Sequence, residues 1–345
     1  MDAVTRIQQI GMPRRNNELW TFFPVAKIPN VLSADGDCLH HASLVAGSAN
    51  APRNDKQESL DFSKENDFAA LLPLAKNART MVRTIPDGAN EMAMLKCNDD
   101  FGHTVLDIGK GAHVSLEILD NKVQHEIVAE RFDISVGEGA DVEIFFANPA
   151  SALPLRFRHF RITQAANSTV RFSNILTDSG IGRISMDCDL NGEGASFDYR
   201  SLSILDNTAS MHQRLTIRHN APNTVSTQLA RNLLSGSAYA SYDGMVIVGE
   251  KCTKVNSGQL VNTILLSEDA SVSVKPVLKI YHDDVECTHG NTVGELDAEQ
   301  MFYLVSRGIP KEAAKKMLMA SFAKETFYPL PDTPAKKRLL QTLSV

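Results

Sequence analysis

From residue 112 onward the chain repeats a small residue followed, two places later, by a residue suited to an interior. The fragments KGAHV, EGADV, NSTV, EGASF, TASM, SAYA and DASV carry it, with the small residue at Ala112, Ala140, Ser168, Ala195, Ala209, Ala238 and Ala270. The spacings are 28, 28, 27, 14, 29 and 32, close to multiples of about 14 with drift at the end. Weaker copies fall between them at Glu126–Val128 and Gly182–Ile184. One such unit cannot bury its own apolar face, but stacked units form a continuous core. Small residues at the bends let successive coils approach closely. The pattern predicts a β-solenoid with about 28 residues per coil. It stacks Val114, Val142, Val170 and Phe197 in the interior. The competing architecture is an irregular β-sandwich whose turns contain Gly-Ala by chance.

The surrounding text agrees with a mainly β chain. From Asn98 to Asp284, short alternating segments such as HVSLEIL, DVEIFF, LRFRHFRI and VSVKPVLKIY are separated by Gly, Asn, Asp or Ser. No helical pattern lies between them, which excludes a doubly wound α/β fold. Residues 1–95 read as a helical and irregular region. Val4–Ile10 forms a helical turn or two, and Ser63–Lys76 forms a helix capped by Ser63 and kinked or ended by Pro73. NAPRNDKQE reads as a solvated loop. Residues 96–294 form the β-helix core, and 295–345 a C-terminal helical region. There Asp297 and Gln300 suggest a capping box, and Gly308 a stop. Pro310 opens a second helix that offers Ala313, Met317, Ala320 and Phe322 for burial, and Thr333-Pro334 starts a third.

Composition removes several functions. A net charge of -6, one Trp and six Tyr argue against nucleic acid or an anionic membrane as a partner. The sequence lacks an apolar run of transmembrane length and a secretory h-region at its start, so a cytoplasmic location is expected. Five dispersed cysteines with no C-x-x-C pair fit neither a disulfide framework nor a zinc knuckle. G-x-x-x-x-G-K-[ST] is missing, so the chain has no recognisable ATP site of its own, and G-x-G-x-x-G, G-x-S-x-G and H-E-x-x-H are missing too. His125-Glu126 reads as an isolated, exposed pair.

One stretch gathers chemistry. Tyr281 to Gly290, YHDDVECTHG, holds three acids, two His and one Cys. In an extended strand Cys287 and His289 share a face, about 7 Å apart. A thiolate beside an imidazole suits a soft or borderline metal such as iron or zinc. Two ligands leave the set incomplete, so others must come from elsewhere in the chain or from a partner. The plainer alternative is a strand end with an inert cysteine and a hydrogen-bonding histidine. Lys275-Pro276 marks a strand start or edge.

This stretch also carries a resemblance. NTILLSEDASVSVKPVLKIYHDDVECTHGNTVGELDAEQMFYLVSRGI (262–309) is similar to the signature region of the SufB/SufD family. RNLLSGSAYASYDGMVIV (231–248) resembles the family's preceding coil, and GMPRRNNELW (11–20) its N-terminal segment. Cys287-Thr-His289-Gly290 is the SufD-like form. The resemblance implies a right-handed parallel β-helix flanked by helical regions. It implies a non-catalytic subunit of an iron–sulfur cluster assembly scaffold, paired with a SufB-like protein, or with a second copy when isolated, and docking a SufC-like ATPase. No firmly held cofactor is implied, only transient iron or an iron–sulfur cluster at the partner interface, met by His289 and Cys287. His289 ranks above Cys287 for that contact, and both above His282. Met301, Phe302, Tyr303, Met317 and Phe322 on the C-terminal helices are the candidates for holding the ATPase. The alternatives from other classes are a secreted-type β-helix enzyme acting on polysaccharide and a hexapeptide-repeat acyltransferase. The first would bring a secretion signal and aromatic residues for sugar stacking, the second about 18 residues per coil.

Overall fold

Among the described residues sixteen strands run from Arg79 to Gly294, and each pairs in parallel with the strand two places along the chain. That pairing forces the backbone to coil. The computed structural model describes residues 1–14, 18–23, 65–76, 78–97, 100–120, 127–148, 155–177 and 180–343. One sheet holds β1 (Arg79–Ile85), β3 (Phe101–Ile108), β5 (Ile127–Val136), β7 (Leu155–Gln164), β9 (Ile181–Leu190), β11 (Ser210–His219), β13 (Tyr239–Val248) and β15 (Ser271–Ile280). The other holds β2 (Asn90–Cys97), β4 (His113–Asp120), β6 (Asp141–Asn148), β8 (Thr169–Leu176), β10 (Ser196–Leu205), β12 (Val225–Leu234), β14 (Val255–Leu265) and β16 (Val285–Gly294). The chain is therefore a parallel β-helix, with each coil contributing one strand to each sheet.

The seven small residues belong to two corners. Ala112, Ala140, Ser168 and Ala195 directly precede even strands, whereas Ala209, Ala238 and Ala270 directly precede odd ones. The 14-residue step from Ala195 to Ala209 is thus half a coil. All seven are buried. At the first corner the preceding residue is left-handed: Gly111 (φ 61°), Gly139 (66°), Asn167 (56°) and Gly194 (71°). Glycine and asparagine adopt that conformation at least steric cost.

Corner backbones also touch. A Cβ on Gly192 would lie 1.9 Å from the backbone nitrogen of Ala166 in the neighbouring coil. Gly192→Ala is expected to cost about 3 kcal/mol through overpacking. A lower urea midpoint at unchanged slope measures it.

The interior column appears as the repeat requires. Val114 pairs in register with Val142, Val142 with Val170, and Val170 with Phe197. All four are 4% exposed or less. Aromatic rings fill the adjoining space, with Phe160 lying 4.7 Å from Phe132 and 4.8 Å from Phe172 between centroids.

The flanks depart from expectation in three places. Strands begin at Arg79, upstream of residue 96, because RTMVRTI and NEMAMLKC form the first coil. Met81, in the inward column of Thr104 and Phe132, has no covering coil among the described residues and stays exposed, while Met92 and Met94 are exposed on the outer face of β2, alternating with buried Ala93 and Leu95, so the apolar alternation is blurred. The helix of the N-terminal region is Phe68–Ala75 (α2), following Ala3–Ile10 (α1). Its cap is Asp67, whose carboxylate accepts from the Ala69 N–H; Pro73 lies inside it, two residues before its end. Ser63, the NAPRNDKQE loop and His125-Glu126 lie outside the described residues. In the tail, α3 is Ala298–Ser306, α4 Lys311–Glu325 and α5 Pro334–Thr342. Asp297 and Thr333 cap α3 and α5 as expected, whereas Pro310 stands at the cap of α4 and its first helical residue is Lys311. Along α4 the buried positions are Ala314 and Ala323 rather than Ala313 and Met317.

Each flank covers one outer face. Ile7, Trp20, Phe23 and α2 pack on Ala129, Leu155 and Phe157 of the odd-strand sheet. Phe327, Leu330, Leu339 and Leu343 pack on Phe145, Ile175, Leu202 and Leu233 of the even-strand sheet. The two ends of the solenoid, at β1–β2 and β15–β16, pair with no further strand among the described residues. Pro276, which cannot donate to a ladder, lies in the terminal strand β15 as an edge proline should.

Candidate functional site at the end of the solenoid

Cys287 and His289 both lie on β16, in register with Ser257 and Gln259 of β14. Ser257 and Gln259 are buried, so their β16 partners continue inward-facing columns. No further coil among the described residues covers them: Cys287 is half-buried and His289 exposed. Cys287 also packs against the small cluster of Val246, Val248, Cys252 and Val255. Burial pushes its thiol pKa up.

These columns change character along the axis. One passes from Val142, Val170 and Phe197 to Ser226, Ser257 and Cys287. The next passes from Ile144, Phe172 and Tyr199 to Gln228, Gln259 and His289. The serine rungs of the first column are hydrogen-bonded. Thr224 Oγ1 donates to the Ala221 carbonyl and lies 2.8 Å from His219 Nδ1, so it accepts from that nitrogen. His219 Nε2 then accepts from Ser226 Oγ at 2.9 Å, and Ser226 accepts from Ser257 Oγ at 2.8 Å. On the second column Tyr242 Oη donates to Gln228 Oε1 at 2.7 Å. A Cβ at Gly244 would meet the Tyr242 ring at 2.5 Å, so glycine there makes room for this tyrosine. Gln259 is 3% exposed, and neither of its amide atoms has a hydrogen-bond partner among the described residues. The same holds for Gln228 Nε2.

Sequence reading picked out Cys287 and His289 and missed everything behind them. Ser257, Gln259, Gln228, Tyr242 and His219 are the supporting residues, and the alternation of VNSGQLVNTIL was the one signal that pointed inward. His282 sits in the turn before β16, where its Nδ1 accepts from the Asp284 N–H, away from the column. No group of three or more His, Cys, Asp or Glu side chains able to hold a metal occurs among the described residues. Cys287 and His289 are of ligand types that suit a soft metal, and two donors do not complete a site by themselves.

The tail carries a second surface. None of the residues of α3 is buried, and Phe302, Tyr303 and Met317 are 75%, 57% and 51% exposed. Met301 is half-buried. Phe322 is already engaged: it packs against the cluster beneath α4, with the Arg231 guanidinium 4.7 Å from its ring. No helix among the described residues is long and apolar enough to cross a membrane.

The architecture is a parallel β-helix that carries Cys287 and His289 on its last strand and an exposed helical tail after it. The chain belongs to the family described as "SUF system FeS cluster assembly, SufBD core domain", which matches residues 92–322. Within it the chain is SufD-type. It is 31% identical over 241 residues to the iron–sulfur cluster assembly protein SufD of Escherichia coli, covering 68% of this chain and 56% of that one. A SufBD family protein of Synechocystis is 28% identical over 212 residues, covering 61% and 47%. The chloroplastic protein ABCI7 of Arabidopsis thaliana is 27% identical over 203 residues, covering 58% and 42%. The chain spans about half the length of these curated relatives.

Proposed function

We propose that this chain is a non-catalytic scaffold subunit for iron–sulfur cluster assembly in the cytoplasm. It pairs through β15 and β16 with a SufB-like chain, or with a second copy when alone, and docks a SufC-like ATPase on α3 and α4. The observation that carries this reading is the placement of Cys287 and His289 on the last, uncovered strand of a SufBD-family β-helix. Unpaired strand edges recruit strands from other chains. The pair meets transient iron or a cluster at this interface, where the partner supplies ligands.

Anaerobic co-purification with metal and sulfide analysis tests it. Cys287→Ala and His289→Ala are expected to leave the complex intact and lower its iron and sulfide at least several-fold. Full cluster loading in both variants would sink the direct role, and a failed complex would assign them to the interface alone. For the ATPase, combined substitution of Phe302, Tyr303 and Met317 by Ala is expected to cut its capture about tenfold or more with no change in thermal midpoint. Point substitutions are the right tool, because truncating the tail would strip the cover from Phe145, Ile175, Leu202 and Leu233. Undiminished capture would remove α3 from the interface.

A further inference from the structure

The column behind His289 has a direction. In-register side chains of a parallel sheet lie about 4.8 Å apart, the spacing at which stacked amides bond to one another. Gln228 Oε1 is engaged by Tyr242, so its free buried group is the Nε2 donor. Gln259, the next rung, has both a free acceptor and a free donor. A buried polar group left unpaired costs about 1–3 kcal/mol. One arrangement of the two amides leaves none unpaired. Gln228 Nε2–H donates to Gln259 Oε1, and Gln259 Nε2–H donates outward to the next rung, which is His289. The reverse arrangement leaves Gln228 Nε2 buried with no acceptor.

A neutral imidazole that accepts on one nitrogen carries its proton on the other. We infer that the Tyr242–Gln228–Gln259 ladder fixes the tautomer of His289, so that its N–H faces the open end of the solenoid as a hydrogen-bond donor. The group it fits is an acceptor on the partner side, an anionic sulfur above all. Resting on the proposed function, this gives the pair distinct parts: Cys287 supplies a sulfur ligand, and His289 donates to sulfur rather than binding iron. Gln259 is a positioning residue, acting through the imidazole it orients.

The test reads the imidazole itself. Long-range 15N–1H correlation on the full chain with labelled histidine, at about pH 8.5 where free imidazole is neutral, resolves tautomers. His289→Asn identifies the signal. The wild type is expected to show a single tautomer at His289. Gln259→Glu offers only an acceptor in place of the donor and is expected to give the opposite tautomer. Gln259→Met keeps the volume without polarity and is expected to give a mixture of the two. A mixture in the wild type, or one unchanged tautomer across all three proteins, overturns the inference. Gln259→Met decides the matter alone if Gln259→Glu does not fold. No metal or partner enters the measurement, so its failure is separable from failure of the scaffold reading.

Discussion

Arg183→Met is expected to destabilise the protein by about 3–5 kcal/mol and to loosen the N-terminal cover from the β-helix. Arg183 lies on β9, 2% exposed, and donates to Asp67 Oδ2 at 2.9 Å and to the Leu19 carbonyl at 3.0 Å. Its guanidinium sits 4.2 Å from the centre of the Trp20 ring. One side chain therefore ties two separate stretches of the N-terminal region to the sheet. Methionine keeps much of the packing but abandons a carboxylate that is 3% exposed. Adding Asp67→Asn removes that charge while an amide oxygen still caps α2. The double variant is expected to recover a substantial part of the loss. Urea unfolding of the four proteins in the cycle measures it. Strictly additive losses would show that the ion pair carries no coupling.

The second large effect is acid sensitivity. His212 and His219 are buried, and burial pushes their pKa values down to about 3 and about 4. His212 lies between Ser210 and Ser241, each 2.8 Å from a ring nitrogen, with Arg183 adding repulsion to its protonated form. His219 lies between Thr224 and Ser226. Between the unfolded value near 6.5 and these depressed values, the unfolded chain binds more protons than the folded one, so stability falls as pH falls. Each unit of that window is worth about 1.4 kcal/mol per histidine. From pH 7 to pH 5 the two together are expected to remove about 4 kcal/mol. His212→Gln and His219→Gln should each flatten the profile of unfolding free energy against pH over this range. Equal slopes in wild type and both variants would assign the acid sensitivity to other groups.

The β-helix was legible because its constraint is local. A small residue follows the left-handed corner before each of β4, β6, β8 and β10, and the residue two places on fills the interior, so Val114, Val142, Val170 and Phe197 announce their column. The first coil was not legible, since a terminal coil buries one side only and its exposed methionines mask the alternation. Cys287 and His289 could be placed on one face by strand period alone. Their support could not: Gln228, Gln259 and His289 are successive rungs about 30 residues apart, and Tyr242 reaches Gln228 from the opposite sheet. Polar residues at interior positions look like solvent-facing ones until the register between coils is known. The same limit hid the role of Phe322, which reads as a candidate for the ATPase surface and is engaged with Arg231.

The C-terminal tail has a mechanical consequence. Arg200 of β10 donates to the Thr326 carbonyl, Arg231 of β12 pairs with Glu325, and Arg338 of α5 reaches back to Glu117 of β4. The helices thus run as a splint along the even-strand sheet, fastened to the paired strands β10 and β12 and to β4, which β6 and β8 separate from them. A bare stack of coils melts piecemeal from its ends, because each coil holds only its neighbours. A splint joins distant coils into one cooperative block. Strain applied to the tail is then shared among β4, β10 and β12 instead of falling on one coil.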